Sequence, residues 1–397
     1  MTRDELLELF RDSCAKRDYL RALQACRDMI ALNGRDAVAW RNMSGIYFAL
    51  GQDAEALETN RNAMDIDPKD PYTYYNFGAI ASRQEKYEDA LRWFNKAVEV
   101  SPQIGDGYLG LATTYLKMGD TGNAVYNFSQ AYQRAPENPD VARGFGLALM
   151  EIGQLPKAEY YLRQALEKVP DWPEVHMELG EVLRRLGEDR SAVEELLRGL
   201  RVKHRPEGLV SLSRIHLKYR EPRKAVPHLH RALQLAPNYA PAYHVFGLAL
   251  AAQKDWPAAV ARFERAYTLE PNSAEFALDY AEALVNAGLD VERAYRLAAA
   301  VQIKDSTVPR AHDVAGWCLY RQGKHVEALQ ELEKARALIE VKTGKQVDDA
   351  VVYEHLAEVY TALKDSMMSR EMYSRALEAD PSRREEWAKR GQAQQAV

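Results

Sequence analysis

One 34-residue stretch, Pro71 to Ile104, constrains this chain more than any other, because its pattern returns along almost the whole length. PYTYYNFGAIASRQEKYEDALRWFNKAVEVSPQI reads as two amphipathic helices with a short turn between them. With Pro71 as position 1, small residues stand at positions 8, 20 and 27 (Gly78, Ala90, Ala97). Large ones stand at Tyr74, Phe77, Leu91 and Phe94, and Pro102 closes the unit at position 32. Repeats in this register begin near Arg3, Ala37, Pro71, Gly105, Pro139, Pro173, Pro206, Ala240, Ala274, Pro309 and Ala350, which makes about eleven. Position 20 is Ala22, Ala56, Ala90, Ala124, Ala158, Ala192, Ala225, Ala259 and Ala328. A small side chain at positions 8 and 20 lets the two helices of a hairpin approach closely. A small one at position 27 lets the second helix meet the next repeat. Proline at position 32 ends the second helix, because it has no N–H to donate and disfavours helical geometry before it. One such hairpin buries too little surface to fold alone, so the repeats must stack.

That requirement sets aside the usual reading of 397 residues as two or three globular domains. It predicts an all-α repeat array over residues 1–383, followed by a solvating C-terminal helix over 384–397 whose Trp387 covers the last core face. The 53 Lys and Arg against 58 Asp and Glu leave a net charge of −5, too mild for a nucleic-acid-binding body. Three cysteines, Cys14, Cys26 and Cys318, form no CxxC and are an odd number, the usage of a reducing compartment. The N-terminus is charged from its third residue, and no apolar run approaches the roughly 20 residues needed to span a bilayer. The expectation is a cytoplasmic protein without membrane insertion.

The period and residue set resemble the tetratricopeptide repeat (TPR) family, from about Arg3 to Arg383. The resemblance implies antiparallel helix pairs stacked into a right-handed superhelical solenoid. It also implies a concave groove, lined by the first helix of each repeat, that takes partner proteins or peptides. The departures are local. Repeat 1 is degenerate, with Phe10 at position 8 and Gly34 at position 32, as suits a cap. Repeat 6 is one residue short, carries Gly199 at position 27 and ends at His204. One residue is inserted near Leu289. The spacing from Pro309 to Ala350 stretches to 41, similar to the longer repeats of kinesin light chains.

Chemistry is sparse. No P-loop or GxSxG occurs, and His228-x-His230 has the wrong spacing for a zinc helix, since residues two apart splay to different sides. Repeats consume every segment long enough for a catalytic domain, so neither enzyme activity nor a cofactor or metal is expected. Recognition in the groove is the better expectation. By the TPR resemblance, positions 2, 5, 6, 9, 12 and 13 face inward. In repeats 2 to 5 these include Arg41, Asn42, Phe48, Tyr72, Tyr75, Asn76, Arg83, Lys117 and Arg143. Asn42 and Asn76 offer a donor and an acceptor to a peptide backbone. Tyr72 and Tyr75 offer rigid contact area with a polar tip. Arg41, Arg83 and Lys117 favour an acidic segment. Gly45 stands where the carboxylate clamp of chaperone-binding TPR domains has asparagine, and Gly110 and Gly144 interrupt an asparagine ladder, which disfavours both subfamilies. A second, basic docking patch is expected where the cationic stretch Arg198 to Lys224 sets Arg214 and Lys218 on the inner face, near Arg184 and Arg185 of the preceding repeat. Farther on, Glu282, Asp313, Trp317, Tyr320, Glu354 and Glu358 turn the inner face acidic and aromatic.

The leading reading is a non-catalytic scaffold that grips a partner protein or an extended, partly acidic peptide. The alternatives are an assembly factor or chaperone for an envelope machine of pilus or secretion type, and a self-assembling homo-oligomeric scaffold.

Overall fold

A computed structural model describes residues 1–341 and 349–381, and the described residues form 22 α-helices. They pair as hairpins: α1 (Arg3–Ala15) with α2 (Tyr19–Leu32), α3 (Ala37–Ala49) with α4 (Asp53–Ile66), α5 (Pro71–Arg83) with α6 (Tyr87–Val100), and so on. The first helices of later repeats are α7 (Gly105–Lys117), α9 (Pro139–Glu151), α11 (Pro173–Leu186), α13 (Pro206–Lys218), α15 (Ala240–Ala251), α17 (Ala274–Asn286), α19 (Pro309–Arg321) and α21 (Asp349–Ala362). Each starts at the residue the period predicts, except α21, which starts one residue before Ala350. The C-terminal helix predicted over 384–397, with Trp387, lies outside the described residues.

The small positions do what the sequence requires of them. Ala22, Ala56, Ala90, Ala124, Ala158, Ala192, Ala225, Ala259 and Ala328 are all completely buried. A Cβ on Gly78 would stand 2.7 Å from the Phe94 ring, and one on Gly180 2.6 Å from Leu196. Where position 8 is serine, its hydroxyl finds a partner in the same contact: Ser44 donates to the Ala56 carbonyl at 2.9 Å. At position 27 of repeat 6, Gly199 is glycine because a Cβ would reach 2.7 Å from the Pro173 carbonyl and 2.8 Å from Met177.

Two further constants were not read from the sequence. Position 15, in the turn between the helices, is left-handed in all eleven repeats. It is glycine in six (Gly51, Gly119, Gly153, Gly187, Gly288, Gly323) and Arg17, Glu85, Arg220, Lys254 or Lys364 in the others. Position 4 often ties a repeat to the carbonyl that ends the one before. Tyr74 and Tyr243 donate their hydroxyls to the carbonyls of Pro68 and Pro237, and His176 and His312 reach those of Pro170 and Ser306 with Nε2.

The helices divide into two compact units, Met1–Lys203 and His204–Val397. The division falls at the shortened repeat, where only residues 203–205 separate α12 (Asp189–Val202) from α13. The extra residue of repeat 9, Leu289, sits half-exposed in its turn. Within each unit, successive first helices touch one another as well as their own partners: α3, α5, α7, α9 and α11 in the N-terminal unit, α17, α19 and α21 in the C-terminal one. First helices therefore crowd along one side of each stack. Cys26 and Cys318 are buried, and burial pushes both thiols up to about 12, well away from reactive thiolates. Among the described residues, no helix is long and apolar enough to cross a membrane.

Candidate peptide-binding recess

Between α3 and α5 the N-terminal unit opens into a recess of about 390 Å³. Arg41, Asn42 and Gly45 come from α3, Tyr72, Tyr75 and Asn76 from α5, and Asp106 from the first turn of α7; Phe10 and Ile46 add apolar wall. Five of these were singled out in the sequence. The other four were not, although Asp106 occupies position 2, one of the inward positions.

Why the recess exists is a matter of local packing. In repeats 3 and 4, position 24 is phenylalanine, and its ring fills the space over position 6 of the next repeat. A Cβ on Gly110 would collide with Phe94, and one on Gly144 with Phe128. Glycine at those positions is therefore a packing requirement, and the apparent break in an asparagine ladder has this cause. In repeat 2, position 24 is Asn60, fully buried, which donates to the Thr73 carbonyl at 2.8 Å. The matching position 6 is Asn76, whose Nδ2 reaches the Asn60 Oδ1 at 3.4 Å and the Arg41 carbonyl at 3.2 Å. An aromatic plug is thus replaced here by a polar pair. Gly45, one turn along α3, has open space where a Cβ would stand.

The cationic side chains of this face are largely committed. Arg41 pairs with Asp70 at 3.0 Å, donates to Asn42 Oδ1 at 3.3 Å, and lies 5.2 Å from the centre of the Tyr72 ring. Arg83 lies over the Phe48 ring at 3.7 Å, donates to the Phe48 carbonyl and pairs with Asp53. Arg143 grips Glu178 with Nε at 2.9 Å and also through its terminal nitrogen. Lys117 is exposed and reaches Ser82 Oγ at 3.3 Å. Arg83 and Arg143 bridge neighbouring repeats, Arg41 reaches the Asp70 at the N-cap of α5, and Phe48 is the platform for Arg83. So Asn76, Arg83 and Arg143 also serve the stack, which their variation from repeat to repeat does not reveal.

The uncommitted groups are different ones. Among the described residues nothing donates to Asn76 Oδ1, and Asn42 Nδ2, the Tyr72 and Tyr75 hydroxyls and the Asp106 carboxyl have no hydrogen-bond partner. Tyr72 is 39% exposed. Burial, then the nearby Asp106 and Asp140, raises the Tyr75 phenol, and burial raises the Asp106 carboxyl.

The basic patch divides between the two units. In the N-terminal unit, Arg184 holds Glu181 at 2.6 Å and Arg185 donates to the Met150 carbonyl at 3.1 Å. In the C-terminal unit, Arg214 is half-buried and Lys218 exposed. His228 and His230 go to different neighbours: His228 stacks on His216 at 5.7 Å, while His230 sets its edge against Phe246 at 4.8 Å.

Models of the tetratricopeptide repeat match residues 35–103 and 307–382, 116–179 and 250–318, and 75–139, together well over half of the chain. The chain belongs to the tetratricopeptide repeat family. This TPR protein has no sequence match among curated proteins. Its fold is similar to that of the human IFIT1 dimer with PPP-AAAA (18% identity, 85% of this chain and 89% of that one, TM-score 0.54). It is similar also to the APC/C hetero-tetramer Cut9-Hcn1 (12% identity, 96% and 87%, TM-score 0.54). Pseudomonas aeruginosa PilF covers 53% of the chain at 17% identity and a TM-score of 0.48, too low to bear on role. At these identities the likeness is one of fold. The fold is that of protein–protein interaction scaffolds.

Proposed function

We propose that this TPR protein is a non-catalytic scaffold whose N-terminal unit holds an extended peptide segment of a partner in the recess between α3 and α5. One observation carries the reading. Asn42 Nδ2 is an unused donor and Asn76 Oδ1 an unused acceptor, on facing first helices, each with its other amide atom already fixed by the protein. One peptide unit offers the complement, a carbonyl and an N–H. Pre-fixed side chains lose little entropy on binding, and the flanking tyrosines add rigid contact area. The acidic preference expected from Arg41 and Arg83 has less to support it, because both guanidiniums already hold carboxylates.

A peptide-display selection on the full chain tests the reading, with Gly45→Leu as the control. The leucine side chain enters the open space beside Gly45 and fills the recess while leaving the stack intact. Peptides enriched on the native chain should lose at least tenfold in affinity for the Gly45→Leu variant, as the loss of one central anchor usually costs. Enriched peptides that bind the two equally, or no enrichment at all, would sink the proposal.

A further inference from the structure

We infer that the occupant of this recess is anchored by a cationic side chain, a lysine or arginine of the bound peptide; the inference rests on the reading of the recess as a peptide site. The charge balance of its walls points there. Arg41 is the one cation lining it, and Asp70 already neutralises it at 3.0 Å. Asp106 is the one anion lining it and has no hydrogen-bond or ion-pair partner among the described residues. Asp140 lies close enough to act on the Tyr75 phenol, so it adds to the same field. The recess therefore carries one uncompensated negative charge, half-buried, beside two tyrosine rings.

A half-buried carboxylate without a partner is unfavourable until a cation arrives, and the Tyr75 and Tyr72 rings present faces that attract one. The protein itself supplies the precedent: Arg41 lies over Tyr72, and Arg83 over Phe48 one repeat-face away. An ammonium or guanidinium from a peptide held by Asn42 and Asn76 would reach Asp106 as a charge-assisted hydrogen bond. An acidic residue at the same place would meet Asp106 as a like charge. The cation-rich sequence of this face thus favours the opposite ligand from the one its composition suggests, because its arginines are used internally.

Four pools of capped octapeptides in a Ser/Thr/Val background, each with one fixed position as Arg, Lys, Gln or Glu, are titrated into the full chain by fluorescence anisotropy. The Arg and Lys pools should bind about tenfold tighter than the Gln pool, and the Glu pool weakest. Asp106→Asn should level the four, and added salt should narrow their spread. Gly45→Leu and Tyr72→Ser, the latter at a 39% exposed position whose ring meets the Arg41 guanidinium at 5.2 Å, should each weaken every pool. If Gln matches Arg, or Glu leads, while Gly45→Leu still removes binding, the cation inference is overturned and the recess reading stands. If no pool binds, or binding survives both Gly45→Leu and Tyr72→Ser, both are overturned.

Discussion

The two compact units solve one problem with different chemistry. Neighbouring repeats must be fastened along the side where the first helices crowd. The N-terminal unit uses arginines: Arg3 with Asp36, Arg41 with Asp70, Arg83 with Asp53, Arg143 with Glu178. The C-terminal unit brings histidines into the same role. His244, fully buried, meets Asp279, which Arg310 also holds while reaching Glu282 at 2.7 Å. His355 pairs with Asp313 at 2.8 Å and stacks on Trp317 at 4.1 Å. Guanidinium stays charged at any physiological pH and its fork suits carboxylates, whereas imidazole titrates. The His244–Asp279 contact is also the more enclosed, at 0% and 8% side-chain exposure against 20% and 13% for Arg41–Asp70. The same superposition of repeats can therefore be held by fasteners that ignore pH or by ones that respond to it.

The sharpest way to break this comparison is to remove one fastener from each unit. Asp279→Ala strands the fully buried His244, while Arg310 keeps Glu282, and should cost about 3–5 kcal/mol in chemical denaturation. Arg41→Met removes a partly buried pair but leaves Asp70 the Thr73 hydroxyl, and should cost less, about 1–2 kcal/mol. Equal losses would mean that the two sets of ties are equivalent.

What the units share should respond alike. Ala90 and Ala259 occupy position 20 in the two units and are both fully buried. Leucine at either should overpack its hairpin by about 1–3 kcal/mol. A difference between them beyond that range would show that the hairpin cores, and not only the ties, diverge.

The smallest effect expected is also the most specific. Burial alone would depress His355, but Asp313, with Glu282 and Glu354 behind it, raises it above its ordinary value. A raised histidine stabilises the fold fully below the ordinary pKa of about 6.5, and the contribution is lost as pH rises through the folded value. Asp279 works in the other direction. Burial opposes ionisation there, but His244 and Arg310 hold the carboxyl low, so its contribution is lost only in acid as pH falls through the depressed value. The melting temperature of the chain relative to His355→Gln should therefore fall from pH 6 to pH 8.5. Hydrogen exchange should assign the loss to α19 and α21, with α3 and α5 unchanged. A flat difference between the two proteins over that range would leave His355 without a role in the tie.

Much of this was legible in advance, for a plain reason. The fold depends on local spacing, and the small residues at positions 8 and 20 betray where helices touch whatever lies elsewhere. Helix starts could be placed to within a residue because the 34-residue period carries each start on to the next. The left-handed turn at position 15 was half-visible as glycine and hidden where Arg17, Glu85, Arg220, Lys254 and Lys364 stand instead. The site was less legible. Arg41, Asn42, Tyr72, Tyr75 and Asn76 do share one recess, yet their availability depends on partners some thirty residues away, and on whether a ring or an amide stands at position 24 of the repeat before.

The sequence alone determined the repeat, its period, the helix pairs and the family, because each hairpin is specified by contacts among residues close in the chain. Tertiary structure decided which charged groups remain available. Pairing of Arg41 with Asp70, or the isolation of Asp106, follows from how one repeat is laid on the next, and Coulomb energy depends on that distance rather than on the count of charges.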